Sequence, residues 1–254
     1  MRSILFTLLA LPILALAQEE PPRPKFEQGK ADPGAPVPDP VAAAKRLKQT
    51  GADDYELGQI KFNGKTREVR VPSVLNMREG DIEYAVVHEN GKTHEALLKT
   101  TASAIDLQVA MLLTNYQPGH TGLFDYEKDE AVRKKRESTA PKTSGANFVK
   151  LEVEWKDGDK VIRKPFGDCL LVKPEKKPAT DLKHFVFNGS MIQASGFSAE
   201  LLGSFIGLYY DVTAVINCPG QRNDLDDVWS PNTAILPKEE TPVTVIITPF
   251  NPQP

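Results

Sequence analysis

Cysteine is nearly absent from this chain: two residues in 254, Cys169 and Cys218, far apart in sequence. That excludes a four-thiolate iron–sulfur cluster and a fold stapled by several disulfides. A basic face is lacking too. The formal net charge is −3, so the electrostatic footprint of a nucleic-acid binder is missing. Beyond the N-terminus no apolar stretch is long enough to span a bilayer. No G-x-S-x-G elbow surrounds Ser190, Ser195 or Ser204, which argues against a serine hydrolase. No glycine loop of the phosphate-cradling kind occurs either.

What is present begins with "MRSILFTLLALPILALAQ". One positive charge at Arg2, an apolar run from Ile4 to Leu16 and Ala15-Leu16-Ala17 before Gln18 form the pattern of a secretory signal over residues 1–17. No cysteine follows the cleavage position, which closes the lipoprotein route. The expected location is therefore periplasmic or extracellular. Residues 18–50 open with proline, glycine and charge and read as a disordered, polyproline-like tether, with a short helical piece near Pro40 to Gln49. In an oxidising compartment Cys169 and Cys218 can pair, but the strand-like runs around them leave that pairing open.

Residues 51–254 read as one β-rich domain. Asn63-Gly64, Asn90-Gly91 and Asp157-Gly158 each stand between apolar alternations, the strongest short-range hairpin signal. Val149, Leu151, Val153 and Trp155 alternate as a half-buried strand does. "GLYYDVTAVINCPG" reads as a β-prone run and "TPVTVIITPF" as a last strand. One stretch changes period: Ile105, Val109, Leu112 and Leu113 make a helical face, Ser103 with Asp106 makes a capping start, and Pro118-Gly119 stops it. From about 125 to 147 the chain turns polar; five acids and five bases between Asp125 and Glu137 nearly cancel, so "RKKR" reads as part of a solvated insertion. The expected class is α+β, predominantly antiparallel β, as a sandwich-like or open barrel-like sheet with one clear helix near 103–115.

Taken in order, "LNMREGDIEYAVVHENGKTHEALLKT", a helix ending in Pro-Gly, "FVFNGS", "YYDVTAVIN" and "PVTVIITP" resemble the YdjY-domain family of secreted bacterial proteins of planctomycete and verrucomicrobial type. The resemblance runs from about Val69 to Pro249, and "GKTHEALL" is its most specific part. It implies a compartment and an architecture but supplies no reaction. Some members carry a ferredoxin-like label; with two cysteines, that property does not transfer here.

Candidate chemistry centres on "HENGKTHEALL". A two-residue turn at Asn90-Gly91 sets His88 opposite Thr93 and His94 opposite Val87, so the two histidines face opposite ways and cannot share one metal. His88 and Glu95 then share a face. His94 falls among Val87, Ala85 and Ala96 and is expected to be packed there, or to meet remote partners such as Asp211, Asn188 or His184. "HEALL" lacks the second histidine of a zinc-binding H-E-x-x-H, since residue 98 is leucine. His94 and Glu95 are the candidate ligands for a divalent metal. Asn223, Asp224, Asp226 and Asp227 form an oxygen-rich cluster that fails the EF-hand pattern and reads as a solvated loop.

Two functional readings follow. The first is an exported, envelope-associated binding or interaction module without catalytic activity and without a cofactor, whose partner is an envelope protein or polymer. It has no nucleic-acid partner, and no membrane span remains after signal cleavage. The alternative is a metal-dependent, hydrolytic protein with its site near His94 and Glu95.

Overall fold

The computed structural model describes residues 30–139 and 147–251. The expected signal peptide, residues 1–17, lies outside them. The stretch assigned to a tether is described from residue 30, and from there it is laid along the domain. Asp39 caps a short helix α1 (Pro40–Ala44), its carboxylate accepting from the backbone N–H groups of Val41 and Ala42. Ala43 is buried, and Arg46 pairs with Asp106 at 2.6 Å.

Strands β1 (Lys48–Gln49), β2 (Asp54–Leu57), β3 (Ile60–Asn63) and β4 (Val69–Leu75) follow one another as an antiparallel meander. The Asn63 side chain accepts from the N–H groups of Lys65 and Thr66, so this hairpin closes through a wider loop than two residues. Next come β5 (Tyr84–His88), β6 (Ala96–Thr100) and helices α2 (Ala104–Leu113) and α3 (Glu130–Thr139). The chain continues through β7 (Phe148–Asp157), β8 (Lys160–Pro165), β9 (Leu170–Val172), β10 (Lys177–Pro178), β11 (Phe185–Phe187), β12 (Ile192–Gln193) and β13 (Gly196–Phe197). It ends with α4 (Ser198–Leu202), β14 (Ser204–Gly207), β15 (Ile216–Asn217), β16 (Trp229–Pro231) and β17 (Pro242–Pro249).

Eight of these strands close a barrel in the order β4-β17-β7-β11-β15-β14-β5-β6, with β6 returning to β4. The structure corrects the expectation of an antiparallel sandwich or an open sheet in two ways. The sheet is closed, which removes the exposed edges an open sheet would leave. It is also mixed: β5 runs parallel to β6, and β14 parallel to β15.

Register explains the core. Val245 of β17 stands opposite Val71 on one side and Val153 on the other, and Ile247 likewise joins Val69 and Leu151. All six are buried, so three alternating strands contribute adjacent rows to one apolar interior. Helix α2 falls where the sequence places it, with Ser103 as its cap. The rest of the expected capping box is filled differently. Asp106 turns away to Arg46, and the carboxylate of Glu200 in α4 takes the Ser103 hydroxyl and the Ile105 N–H, both at 3.0 Å. The helical face is also displaced from the expected one: Leu107, Val109, Ala110 and Met111 are buried, whereas Leu113 is exposed. The polar insertion carries α3, whose pairs Lys134–Glu130 and Arg133–Glu137 cancel charge along one solvated helix. Among the described residues no helix is long and apolar enough to cross a membrane. Cys169 and Cys218 are both free and buried, and burial pushes each thiol up to about 12.

Candidate functional site

The stretch "HENGKTHEALL" is not a hairpin. Parallel pairing of β5 with β6 requires the chain to travel back along β5 between them, and it does so within residues 89–95. That is short, since parallel neighbours usually need a dozen or more residues. Gly91 permits it by close approach. A Cβ there would stand 3.1 Å from the carbonyl oxygens of His88 and Leu202 and 3.2 Å from that of Gly203. Neither Asn90 nor Gly91 has the positive φ of the expected turn. The segment tightens into a 3-10 turn at Thr93–Glu95. It is held at its far end by Asn76, whose amide donates to the carbonyls of Thr93 and Ala96.

A second short crossover, residues 208–215, joins β14 to β15. The N–H groups of Leu208 and Tyr209 both donate to the carbonyl of Glu83, and the N–H of Glu83 donates to the carbonyl of Glu95. Glu83 therefore ties the start of β5 to both crossovers.

The side chains of the two crossovers meet at Tyr84. Its phenol donates to Asp211 Oδ2 at 2.8 Å and accepts from Lys92 Nζ, also at 2.8 Å. Asp211 is oriented from behind, its Oδ1 accepting from the Thr213 N–H and hydroxyl. Lys92 also lies 3.4 Å from Glu95 Oε1. Burial, reinforced by the Asp211 carboxylate, pushes the Tyr84 phenol far above its ordinary value, so it stays protonated and acts as a donor. Burial also raises Glu83, and the neighbouring Glu95 and Asp226 carboxylates add to that, against the opposing charge of Lys92.

His94, expected among Val87, Ala85 and Ala96, is instead exposed, with 79% of its side chain open to solvent. The reason is the parallel register: residues 92–95 form the crossover and lie outside the ladder. His94 does approach Glu95, with Nε2 3.6 Å from Oε2. His88 and Glu95 do not pair; the His88 Nδ1 accepts from the Asn90 N–H. Of the remote partners, Asp211 joins the cluster through Tyr84, Asn188 is bonded to Asn217 and the carbonyl of Ala214, and His184 stacks on Phe250. Asn223 is buried and structural, its amide donating to the carbonyls of Leu123 and Cys218, while Asp226 and Asp227 face solvent. Ser190 is buried between the Thr213 carbonyl and the Ala199 N–H. Among the described residues no group of three or more His, Cys, Asp or Glu is arranged to hold a metal ion.

Sequence reasoning passed over Tyr84, Lys92 and Glu83. Tyr84 sits in an apolar strand and reads as core, and the residues that meet it are eight and 127 positions away.

The family model for the YdjY domain matches residues 60–248. The chain belongs to the YdjY domain family. No curated protein and no solved structure gives a match. The matched span of the YdjY domain runs from β3 to β17, so it contains the whole barrel, both crossovers and the Lys92–Tyr84–Asp211 chain. Helix α1 and strands β1 and β2 lie before it.

The cluster belongs to one mouth of the YdjY barrel. Gly207 pairs with both Tyr84 and Asn217, so the starts of β5 and the ends of β14 and β15 lie together. Val186 pairs with Asn217 on one side and Phe148 on the other, which sets Phe148 of β7 close to the end of β15. A pocket opens there between Phe148, His184, Cys218, Arg222 and Trp229. The Ile82 N–H donates to the Trp229 carbonyl, so the segment that leads into β5 joins the pocket wall to the Tyr84 cluster.

Proposed function

We propose that this YdjY domain is an exported, envelope-associated binding module without catalytic activity, and that it takes its ligand at this barrel mouth. One observation carries the reading: the groups of the cluster are committed to one another. Tyr84 holds its proton between Lys92 and Asp211, Lys92 is spent on Tyr84 and Glu95, and the raised Glu83 faces Glu95. Such an arrangement fixes shape and hydrogen-bonding pattern, which recognition needs. A general base, by contrast, must be free to accept a proton near neutral pH. The partner on this reading is an envelope protein or polymer.

The test is cosedimentation of the mature chain with isolated cell envelopes. Lys92→Ala and Arg222→Ala each remove an accessible charge from the mouth. Either should lower the sedimented fraction severalfold while the unfolding midpoint stays near wild type. Equal sedimentation of all three proteins would overturn the reading. Export is tested separately: the envelope-derived chain should begin at Gln18.

The second reading keeps a divalent metal at His94 and Glu95. What favours it is that two ligand types approach each other on an exposed turn. Elemental analysis of the purified protein, with His94→Ala as control, distinguishes it.

A further inference from the structure

The pocket beside the Tyr84 cluster has a cavity volume of about 280 Å³. That is close to the lower end of the roughly 300–1,000 Å³ usual for ligand sites, so it suits a ligand of one or two rings. Its walls carry two acids, Asp125 and Asp181, and two bases, Lys183 and Arg222. An ion of either sign would meet as much repulsion as attraction there. A purely apolar ligand would bury polar groups without partners, which is unfavourable.

The polar groups are set side by side. Arg222 donates to Asp181, while its guanidinium lies 4.9 Å over the Trp229 ring. That arrangement fixes a fork of donors next to a carboxylate of acceptors. His184 is held flat against Phe250 and edge-on to Phe148, and burial lowers its pKa, so the neutral ring offers one donor and one acceptor. The Trp229 indole is part of the wall, buried beneath the Arg222 guanidinium, and its N–H meets no acceptor among the described residues. Cys218 lies in the same wall as a thiol, since burial keeps it from ionising near neutral pH.

Balanced charge, a fork of donors beside an acceptor carboxylate, and aromatic walls are the complement of an uncharged ring that carries many hydroxyl groups. We propose that this pocket binds a sugar residue of an uncharged, hydroxyl-rich envelope glycan. The assignment rests on the binding reading above and names its ligand class.

Saturation-transfer NMR on the full mature chain tests it with cellobiose and diacetylchitobiose as uncharged probes, and acetate and inorganic phosphate as ionic ones. Fluorescence gives a second readout, because Trp229 lines the pocket and the other tryptophan, Trp155, stands in β7. The expected result is saturable binding of at least one disaccharide, weakened about tenfold or more by Arg222→Ala, as loss of a charge-assisted hydrogen bond implies. The ionic probes should give no saturable signal. Saturable anion binding with silent disaccharides would overturn the sugar assignment and leave the binding module standing. Disaccharide binding unchanged by Arg222→Ala would move the ligand away from this pocket. Silence from every probe, together with Arg222→Ala envelope cosedimentation equal to wild type, would overturn both.

Discussion

The two parallel crossovers of the barrel solve one problem in opposite ways. Residues 89–95 cross on the outside, with Asn90, Lys92 and His94 exposed, and depend on backbone closeness at Gly91 and Gly203. Residues 208–215 cross partly through the interior, with Leu208, Thr213, Ala214 and Val215 buried, and depend on side-chain hydrogen bonds. The outer crossover therefore carries its charge at the surface, with half of the Lys92 side chain open to solvent, and the inner one supplies the fixed carboxylate, Asp211, that anchors the Tyr84 phenol beneath it. Tyr84 joins them.

The inner crossover should be the more fragile under polar deletion. Asn217 is fully buried. Its amide donates to Asn188 Oδ1 and the Asp211 carbonyl at 2.8 Å each, and its oxygen accepts from the Asp211 N–H at 2.9 Å. Asn217→Ala leaves the buried Asn188 Oδ1 and the N–H and carbonyl of half-buried Asp211 without this partner, at about 1–3 kcal/mol for each group left unsatisfied. The expected loss of stability is about 3–5 kcal/mol by denaturant unfolding. A loss below about 1 kcal/mol would mean that packing, not this amide, holds the crossover.

The outer crossover should break by volume instead. Gly91→Ala sets a methyl group against three carbonyl oxygens that belong to backbone, which cannot rotate aside. The expected cost is about 1–3 kcal/mol, typical of overpacking. A type I′ hairpin turn would also penalise this substitution, through the positive φ it needs at the glycine, so a neutral result would contradict the close approach and the turn interpretation alike.

These two segments also mark where the sequence stopped being legible. Strands whose partners are adjacent hairpins declared themselves: the alternation of Val149, Leu151, Val153 and Trp155, and the Asp157-Gly158 signal, correspond to β7 and its pairing with β8. So did α2, through Ser103. The crossovers did not, because a parallel partner leaves no local mark. Asn90-Gly91 imitates a hairpin, although its glycine serves a close approach. "YYDVTAV" has the β-branched and aromatic content of a strand, although Asp211 and Thr213 spend their hydrogen bonds on turning the chain. The site was partly legible for the same reason. Glu95 and Asp211 are among the residues the sequence singles out, but Tyr84 lies unmarked in an apolar strand, and Lys92 carries no signal until the register places it beside Tyr84.

A third difference between the crossovers is a dependence on pH. Glu83 bonds to both through its backbone, and its carboxyl, raised by burial and by Glu95 and Asp226, titrates between them. Below the ordinary carboxyl value of 4.5 both folded and unfolded chains hold the proton, and the group costs nothing. As pH rises through that value the unfolded chain releases its proton first. Stability then falls until the folded pKa is passed. Glu83→Gln mimics the protonated form and removes that loss. The variant should therefore gain on wild type between acid and neutral pH when both are unfolded in denaturant. A Gln variant that instead loses ground toward neutral pH would show that the Lys92 charge outweighs burial and that Glu83 is stabilised as a carboxylate.

The smallest effects separate the two histidines of the outer crossover, and their order is the reverse of what the hairpin register implied. His88 ends β5 half-buried; its N–H donates to the Gly203 carbonyl and its Nδ1 accepts from the Asn90 N–H at 3.2 Å. Its Cβ also crowds the position where Gly203 would carry one, at 3.0 Å. His88→Ala should therefore cost about 1 kcal/mol, through one lost hydrogen bond and some packing. His94 has 79% of its side chain in solvent and only a 3.6 Å approach to Glu95, a surface contact of little worth. His94→Ala should stay within about 0.5 kcal/mol of wild type. Both variants are unfolded in denaturant with and without chelator. On the binding-module reading, chelator moves neither curve. A chelator-dependent loss in wild type that His94→Ala abolishes would place a metal on the outer crossover and make it, rather than the buried one, the segment on which the fold depends.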